Sequence, residues 1–349
     1  MRNFVIIALF LLFSECSLFG YTMVDLGDTI AARDINDNGQ VVVNGQLSKG
    51  YLYENGTMTD IGNLGGDSVN ARGINSSGHI VGSSKLSSGY PNAFFLDYGG
   101  SMISLGTLGG TGSEAKRIND LNQIVGSSSN AAGSSRAFIY QNGIMTDLGT
   151  FGGTESDAYD INNSGQIVGY ALTASNEIHA FSYDSGVMTD LGTLGGTYSF
   201  ALGLNESGQV VGRAHNASDQ YRAFLYNNST MINLGTLGGD YSAAYDINDS
   251  GQIVGSSTNS SGEDHAFLYE NGIMVDLNNY LPAGYEGWTL NYALAINSYG
   301  DIVGIATNAD DAQRAFYLYN DDAHVVIPEP ATFVLLVMAV LSVLKKSFR

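Results

Sequence analysis

The sequence predicts an all-β protein, a seven-bladed β-propeller of four-stranded antiparallel blades whose last blade is closed by the N-terminal strand. Three observations carry this expectation. One motif recurs seven times with a period near 43 residues. Each period holds four short strand-like runs separated by turn residues, and the run missing after the last copy stands before the first. The chain contains 45 Gly and 4 Pro, with 14% charged and 11% aromatic residues, which suits short strands joined by tight turns better than helices. An apolar fraction of 44% excludes a disordered chain.

The repeat is anchored by an Ile-Asn or Leu-Asn pair at Ile35, Ile74, Ile118, Ile161, Leu204, Ile247 and Ile296, with gaps of 39, 44, 43, 43, 43 and 49 residues. The sixth copy shows the grammar. A strand ending Tyr245-Asp246-Ile247-Asn248 meets Asp249-Ser250-Gly251, whose side chains and positive-φ glycine suit a tight turn. Gln252-Ile253-Val254-Gly255 is the second strand and His265-Ala266-Phe267-Leu268-Tyr269 the third. Glu270-Asn271-Gly272 turns the chain into a fourth, Ile273-Met274-Val275-Asp276-Leu277. Runs such as Gln166-Ile167-Val168-Gly169 are apolar on both faces, as sheets sandwiched between other sheets require. No 3.6-residue apolar period survives the glycine spacing, so a helical reading fails.

The ends close the ring. Tyr21-Thr22-Met23-Val24-Asp25-Leu26-Gly27 matches the fourth strand of the unit. After the last Ile-Asn pair come only a second strand, Asp301-Ile302-Val303-Gly304, and a third, Arg314-Ala315-Phe316-Tyr317-Leu318-Tyr319. The mature N-terminus is therefore expected to complete the seventh blade and remove its open edge.

Outside residues 21–319 the chain changes character. Met1-Arg2-Asn3 and the apolar run 4–13 predict a signal peptide over residues 1–20, cleaved between Cys16 and Tyr21. Its removal takes away the one cysteine, so no disulfide is expected. A linker over 320–326 leads to a tail, 327–349, in which an apolar stretch follows Pro328, Glu329 and Pro330 and ends in Lys345, Lys346 and Arg349. The apolar stretch is a marginal membrane helix, interrupted by its prolines, with the cations on the cytoplasmic side. Ile327-Pro328-Glu329-Pro330-Ala331-Thr332, the apolar run and the basic end resemble the PEP-CTERM sorting signal of Gram-negative bacteria. That resemblance implies transient inner-membrane anchoring, processing by an exosortase-type protease, and a destination at the cell surface or outside. An ordinary C-terminal anchor is the alternative.

Arg136-Ala137-Phe138, His179-Ala180-Phe181, Arg222-Ala223-Phe224, His265-Ala266-Phe267 and Arg314-Ala315-Phe316 resemble the bacterial extracellular HAF repeat family. So do the Leu-Gly-Thr-Leu-Gly-Gly segments at 105–110, 191–196 and 234–239, whose Leu-Gly-Gly is expected to be a turn, since no helix follows it. The resemblance spans nearly all of 21–319, and the first blade departs from it at Gly50-Tyr51-Leu52. It implies location and shape rather than an activity.

A formal charge of −20 excludes nucleic acid as a partner. Asp34, Asn36 and Asn38 before Gly39 echo the start of a calcium loop, as do Asp160 and Asn162, and Asp246 and Asn248. The later ligand positions hold Val42, Val168 or Val254, and no bidentate Glu follows, so turn capping is the simpler reading. No metal and no cofactor is expected. His179 and His265 alternate with Arg at one repeated place, which suits a structural polar group better than catalysis. The Asp of each Asp-Leu pair recurs blade by blade, as a backbone cap does. Tyr198, Tyr241, Tyr280, Tyr285 and Trp288 fall in loops expected on one face, where rings could stack on a polysaccharide or else plug the blade. The sequence therefore favours a non-enzymatic, exported protein of structural, adhesive or matrix-associated role. A lectin-like propeller is the alternative, and a glycan-cleaving enzyme is the third reading.

Overall fold

In the computed structural model, which describes residues 20–324, the chain forms seven four-stranded antiparallel sheets, each in sequential strand order except one. Blade 1 comprises Thr29–Ile35, Val41–Gly45, Gly50–Glu54 and Thr57–Asp60. Blades 2 to 6 repeat that order. The exception is blade 7, where Thr289–Ile296, Ile302–Thr307 and Gln313–Asn320 are completed by Tyr21–Asp25. The N-terminal strand pairs with the last one in the register Tyr21 to Asn320, Met23 to Leu318 and Asp25 to Phe316. The seven-bladed propeller and its closure stand as the repeat predicted them. Among the described residues the helical turns are two short 3-10 segments, Gln46–Ser48 and Leu277–Tyr280.

The repeated side chains now have reasons. In blades 2 to 7 a third-strand Phe is fully buried: Phe94, Phe138, Phe181, Phe224, Phe267 and Phe316. Each lies directly across from the Gly of the Ile-Val-Gly run, as Phe181 does from Gly169. A β-carbon on Gly169 would stand 2.0 Å from the Asp157 carbonyl oxygen, so no larger residue fits there. Blade 1 changes both partners together, pairing Val43 with Tyr51. In four blades the residue two places before that Phe, or before Tyr51 in blade 1, reaches from the third strand to the fourth. His179 Nδ1 lies 2.7 Å from Asp190 and His265 Nδ1 lies 2.6 Å from Asp276, while Arg136 and Lys49 reach Asp147 and Asp60. The same aspartates cap the following turn, Asp190 Oδ1 accepting from the Gly192 N–H at 2.8 Å and Asp147 from Gly149.

The sequence reading placed the Leu-Gly-Gly segments in turns. The Gly-Gly pair instead opens the innermost strand, as in Gly195–Leu204 and Gly238–Ile247. Gly195 takes a φ of 102°, a conformation that lets the strand begin with an irregular pairing before regular register resumes at Ser199. That serine then joins blades. Ser199 donates to the Gly192 carbonyl at 2.6 Å and accepts from the Ala180 N–H of the preceding blade at 2.8 Å.

The Ile-Asn pairs meet on the axis. Each asparagine Nδ2 donates to the backbone carbonyl of the corresponding asparagine in the next blade, from Asn36 through Asn75, Asn119, Asn162, Asn205 and Asn248 to Asn297. Asn297 donates back to Asn36 and closes the circle. The amide oxygen faces inward to its own turn, as Asn162 Oδ1 does in accepting from the Gln166 N–H at 3.0 Å. All seven asparagines are buried, so every one of these polar atoms needs its partner.

The chain beyond the last strand folds back. His324 stacks on Tyr319 at 4.1 Å between centroids and lies 3.1 Å from buried Asp301, placing the first residues of the expected linker against blade 7. The expected signal peptide and the sorting tail lie outside the described residues.

The asparagine ring yields a contrast that urea unfolding can measure. Asn162→Ala takes the cross-blade donor from the Asn205 carbonyl, leaves the Gln166 N–H of its own turn without a partner, and is expected to cost about 2–4 kcal/mol. Asn163→Ala, one residue on and exposed, is expected to cost less than about 1 kcal/mol. Equal costs would show that the ring does not hold the blades.

Candidate functional site

The central channel is the place where the blades bring dissimilar side chains together. Every innermost strand carries a β-bulge just before its Ile-Asn or Leu-Asn pair, at a register shift such as Ala32 to Asp34 or Ala201 to Gly203. The unpaired residue is Arg33 in blade 1, then Arg72, Lys116, Tyr159, Leu202, Tyr245 and, in blade 7, Leu294. All seven line one cavity together with Arg117 and Arg213, with a volume of about 380 Å³. The bulges are what turn these side chains to the axis.

One residue further along each strand stand Asp34, Gly73, Arg117, Asp160, Gly203, Asp246 and Ala295. The Arg117 guanidinium occupies the centre. It pairs with Asp34, its Nε lies 3.0 Å from Asp160, and its Nη2 lies 3.6 Å from Asp246. The three carboxylates are 4%, 4% and 7% exposed, so the cluster is almost wholly desolvated. Each also ties its blade to the next. Asp160 accepts from the Ile161 N–H at 2.9 Å and from Leu204 at 2.8 Å, and Asp34 and Asp246 do the same toward Ile74 and Ile296.

Three carboxylates share one guanidinium, so the cluster cannot be fully ionised without cost. Burial pushes Asp246 up to about 7, against the pull of Arg117 and with the repulsion of Asp160 and Asp34 added. Burial likewise raises Asp160. Burial opposes the charge of Arg117, but Asp34, Asp160 and Asp246 outweigh it and hold the guanidinium well above its ordinary value. The proton shared here belongs to the cluster rather than to one residue.

At the other mouth lie the asparagine ring and, beyond it, exposed Asp37, Asp120, Glu206 and Asp249. These accept from neighbouring blades, as Asp249 does from the Glu206 N–H at 2.9 Å.

The candidate residues from the sequence are thus distributed as follows. Asp34, Asp160 and Asp246 surround Arg117, and Asn36, Asn162 and Asn248 belong to the ring. Asn38 donates to the Ser76 carbonyl at 2.8 Å. Among the described residues no group of three or more His, Cys, Asp or Glu is arranged to hold a metal ion. Trp288 and Tyr285 lie edge to face at 5.3 Å and pack on the hydrophobic cluster between blades 6 and 7, the Tyr285 hydroxyl donating to the Met23 carbonyl. Tyr280 ends the short helical turn beside them. Tyr198 and Tyr241 belong to a different group. Tyr198 meets His215, His215 lies 4.0 Å from Tyr221, and Tyr221 lies 6.2 Å from Tyr241. Arg213 stacks over Phe200 and Tyr221 and donates to the Tyr241 hydroxyl at 3.0 Å. Pro328, Glu329, Pro330, Lys345, Lys346 and Arg349 lie outside the described residues.

Sequence reasoning missed the basic column Arg33, Arg72 and Lys116 and the hub Arg117. Aligning the seven copies on their Ile-Asn or Leu-Asn pair exposes that column, two places before the Ile or Leu. That it faces the axis depends on the bulge, which no composition signal marks.

The buried cluster makes stability depend on pH. An unfolded aspartate releases its proton near pH 4, whereas the native cluster keeps one to about 7, so the folded state binds more protons in between. Its contribution to stability therefore falls as pH rises across that window and is level above it. Between pH 5 and 8 the loss is expected to reach up to about 3 kcal/mol. Asp246→Asn keeps an acceptor for the Ile296 N–H and is expected to flatten the slope seen in urea unfolding; an unaltered slope would contradict this account.

No protein-family model matches the chain, and no curated protein is similar to it. Solved structures do resemble it in fold. YCF48 bound to a D1 peptide is 10% identical with a TM-score of 0.51, covering 88% of this chain and 97% of that one. TolB from Agrobacterium tumefaciens is 11% identical with a TM-score of 0.46, covering 83% and 91%. The BP39L lectin from Burkholderia pseudomallei is 9% identical with a TM-score of 0.42, covering 82% and 98%. At such identities the likeness is one of fold alone.

Proposed function

We propose that this chain is an exported, non-catalytic propeller with a structural, adhesive or matrix-associated role at the cell surface or outside the cell. One observation carries the reading: the polar residues that recur with the repeat are spent on joining strands and blades. The asparagines form the ring, the aspartates of the Asp-Leu pairs cap turns, and His179 and His265 clamp third strands to fourth strands. A surface so acidic and a ring closed without cysteine suit a secreted, soluble scaffold. Delivery rests on the leader at 1–20 and the tail at 327–349, with the export machinery and an exosortase-type protease as partners and only transient contact with the inner membrane.

A lectin-like role is the second reading, and the aromatic group on blades 5 and 6 favours it. Tyr198, Tyr221 and Tyr241 are partly exposed rings held by His215 and Arg213, a surface on which sugar rings stack.

Intact mass of the protein recovered from its native cells tests delivery. The expected mass lacks the leader and the apolar tail, and a mass that retains 325–349 removes the sorting proposal. A glycan array tests the second reading. Binding that falls at least about tenfold on Tyr221→Ala would support it, and silence across a broad polysaccharide panel would end it. Sustained hydrolysis of any polysaccharide in that panel would overturn the non-catalytic assignment.

A further inference from the structure

The chain has 14 Lys and Arg against 34 Asp and Glu. Ten of those cations fall within residues 20–324, and five of the ten, Arg33, Arg72, Lys116, Arg117 and Arg213, line the single cavity at the bulge mouth of the channel, whose lining contains no carboxylate. Concentrating half of the cations in one hollow of a strongly acidic protein opposes both self-repulsion and desolvation, so the fold bears a cost for it.

Three of the five are compensated within the protein. Arg72 pairs with Glu114 at 2.9 Å, Lys116 with Asp157 at 2.5 Å, and Arg117 with its three aspartates. The other two have no carboxylate partner among the described residues, although Arg213 stacks on Phe200 and Tyr221. Among the described residues Arg33 makes no salt bridge, and its buried Nε has no hydrogen-bond partner. Arg213 has a buried Nε equally without partner, while its Nη1 donates to the neutral Tyr241 hydroxyl. Burial, then repulsion from Arg72, lowers Arg33 to about 10, the mark of a charge held where the protein supplies too little opposite charge.

The cavity is also two-sided. The bulge residues of three consecutive blades, 1 to 3, are all cationic. Those of the next four are Tyr159, Leu202, Tyr245 and Leu294. Lys116 lies over the Tyr159 ring at 3.7 Å, which leaves Leu202, Tyr245 and Leu294 as an apolar wall facing the guanidinium groups. A bare inorganic anion would use only half of such a hollow. A molecule with an oxyanion at one end and an apolar or ring-shaped body at the other uses both, and the volume suits a compact one.

We infer that the bulge mouth of the channel is a binding site for a small organic acid, its carboxylate held by Arg33 and Arg72 with Arg213 at the rim, and its apolar body laid against Leu202, Tyr245 and Leu294. The planar guanidinium fork matches a carboxylate in two-point pairing. This site goes beyond the surface role proposed above and stands whether or not that role holds.

Calorimetric titration and thermal unfolding of the full chain test it with phenylacetate and hexanoate, set against acetate, inorganic phosphate and uncharged benzyl alcohol. Phenylacetate or hexanoate is expected to saturate one site and raise Tm, binding at least about tenfold more tightly than acetate or phosphate, with benzyl alcohol inert. Arg33→Gln is expected to weaken phenylacetate at least about tenfold while raising the Tm of the ligand-free protein by about 2–5 °C, because a partly buried charge without a salt-bridge partner is removed. Arg213→Gln gives an independent second variant with weakened binding, and Lys49→Gln, on the outer surface, leaves binding unchanged. Failure of all the acids to bind overturns the proposal. So does phosphate or acetate binding as tightly as phenylacetate, or affinity indifferent to both arginine variants.

Discussion

One amide per blade holds this molecule together. The asparagine of each Ile-Asn or Leu-Asn pair uses its oxygen to shape its own turn and its nitrogen to grip the backbone of the next blade, and seven such links return to their start. Because the link runs from side chain to main chain, it fixes the offset between neighbouring sheets whatever else the blades carry. Hydrophobic contact alone is non-directional and tolerates sliding. A buried hydrogen bond does not, since a displaced blade leaves a buried amide donor stranded. Surface loops can therefore vary in length, as the gaps of 39 to 49 residues do, without disturbing the register at the axis.

That same axis explains why the repeat is imperfect. A charged residue on a sevenfold axis faces six copies of itself, so Asp at the position of Asp34 cannot recur in every blade. The chain keeps three aspartates, answers them with Arg117, and fills the remaining places with Gly73, Gly203 and Ala295. Gly73 and Gly203 are further required because a β-carbon there would press at 2.9 Å on the carbonyl oxygens of Lys116 and Tyr245. Departures from the period are thus where electrostatics overrules repetition. The basic half and apolar half of the bulge column are departures of the same kind, and they give a symmetric scaffold an unsymmetric interior.

Much of the architecture was legible because it repeats. The period, the turn residues and the stray strand at residues 21–25 together define blade count and closure, since a ring is the arrangement that uses every run once. The Asp-Leu caps and the alternating His and Arg were readable as structural for the same reason. The Leu-Gly-Gly segments were misread as turns because glycine pairs serve turns and irregular strand starts alike, and only the register with Asn216 or Asn259 distinguishes them. The basic cavity was illegible for a deeper reason. Arg33 and Lys116 look like ordinary surface cations along the chain, and what draws them inward is a one-residue slip in pairing that leaves no trace in hydropathy. Trp288, the one tryptophan, packs partly buried against the hydrophobic cluster between blades 6 and 7.

Closure by the first strand carries a consequence for the order of events. Tyr21–Asp25, among the earliest segments to be synthesised, finds its partner only in Gln313–Asn320, near the end of the folded domain, with side-chain bonds such as Thr22 to Asp321 spanning 299 residues. Until that late strand arrives, blade 7 lacks an outer edge and the circle stays broken, however well the intervening blades have formed. Joining segments so distant in sequence is a long-range pairing of the kind that slows folding. The molecule is thus a chain of semi-independent sheets for most of its birth, and becomes a single cooperative body in one terminal act.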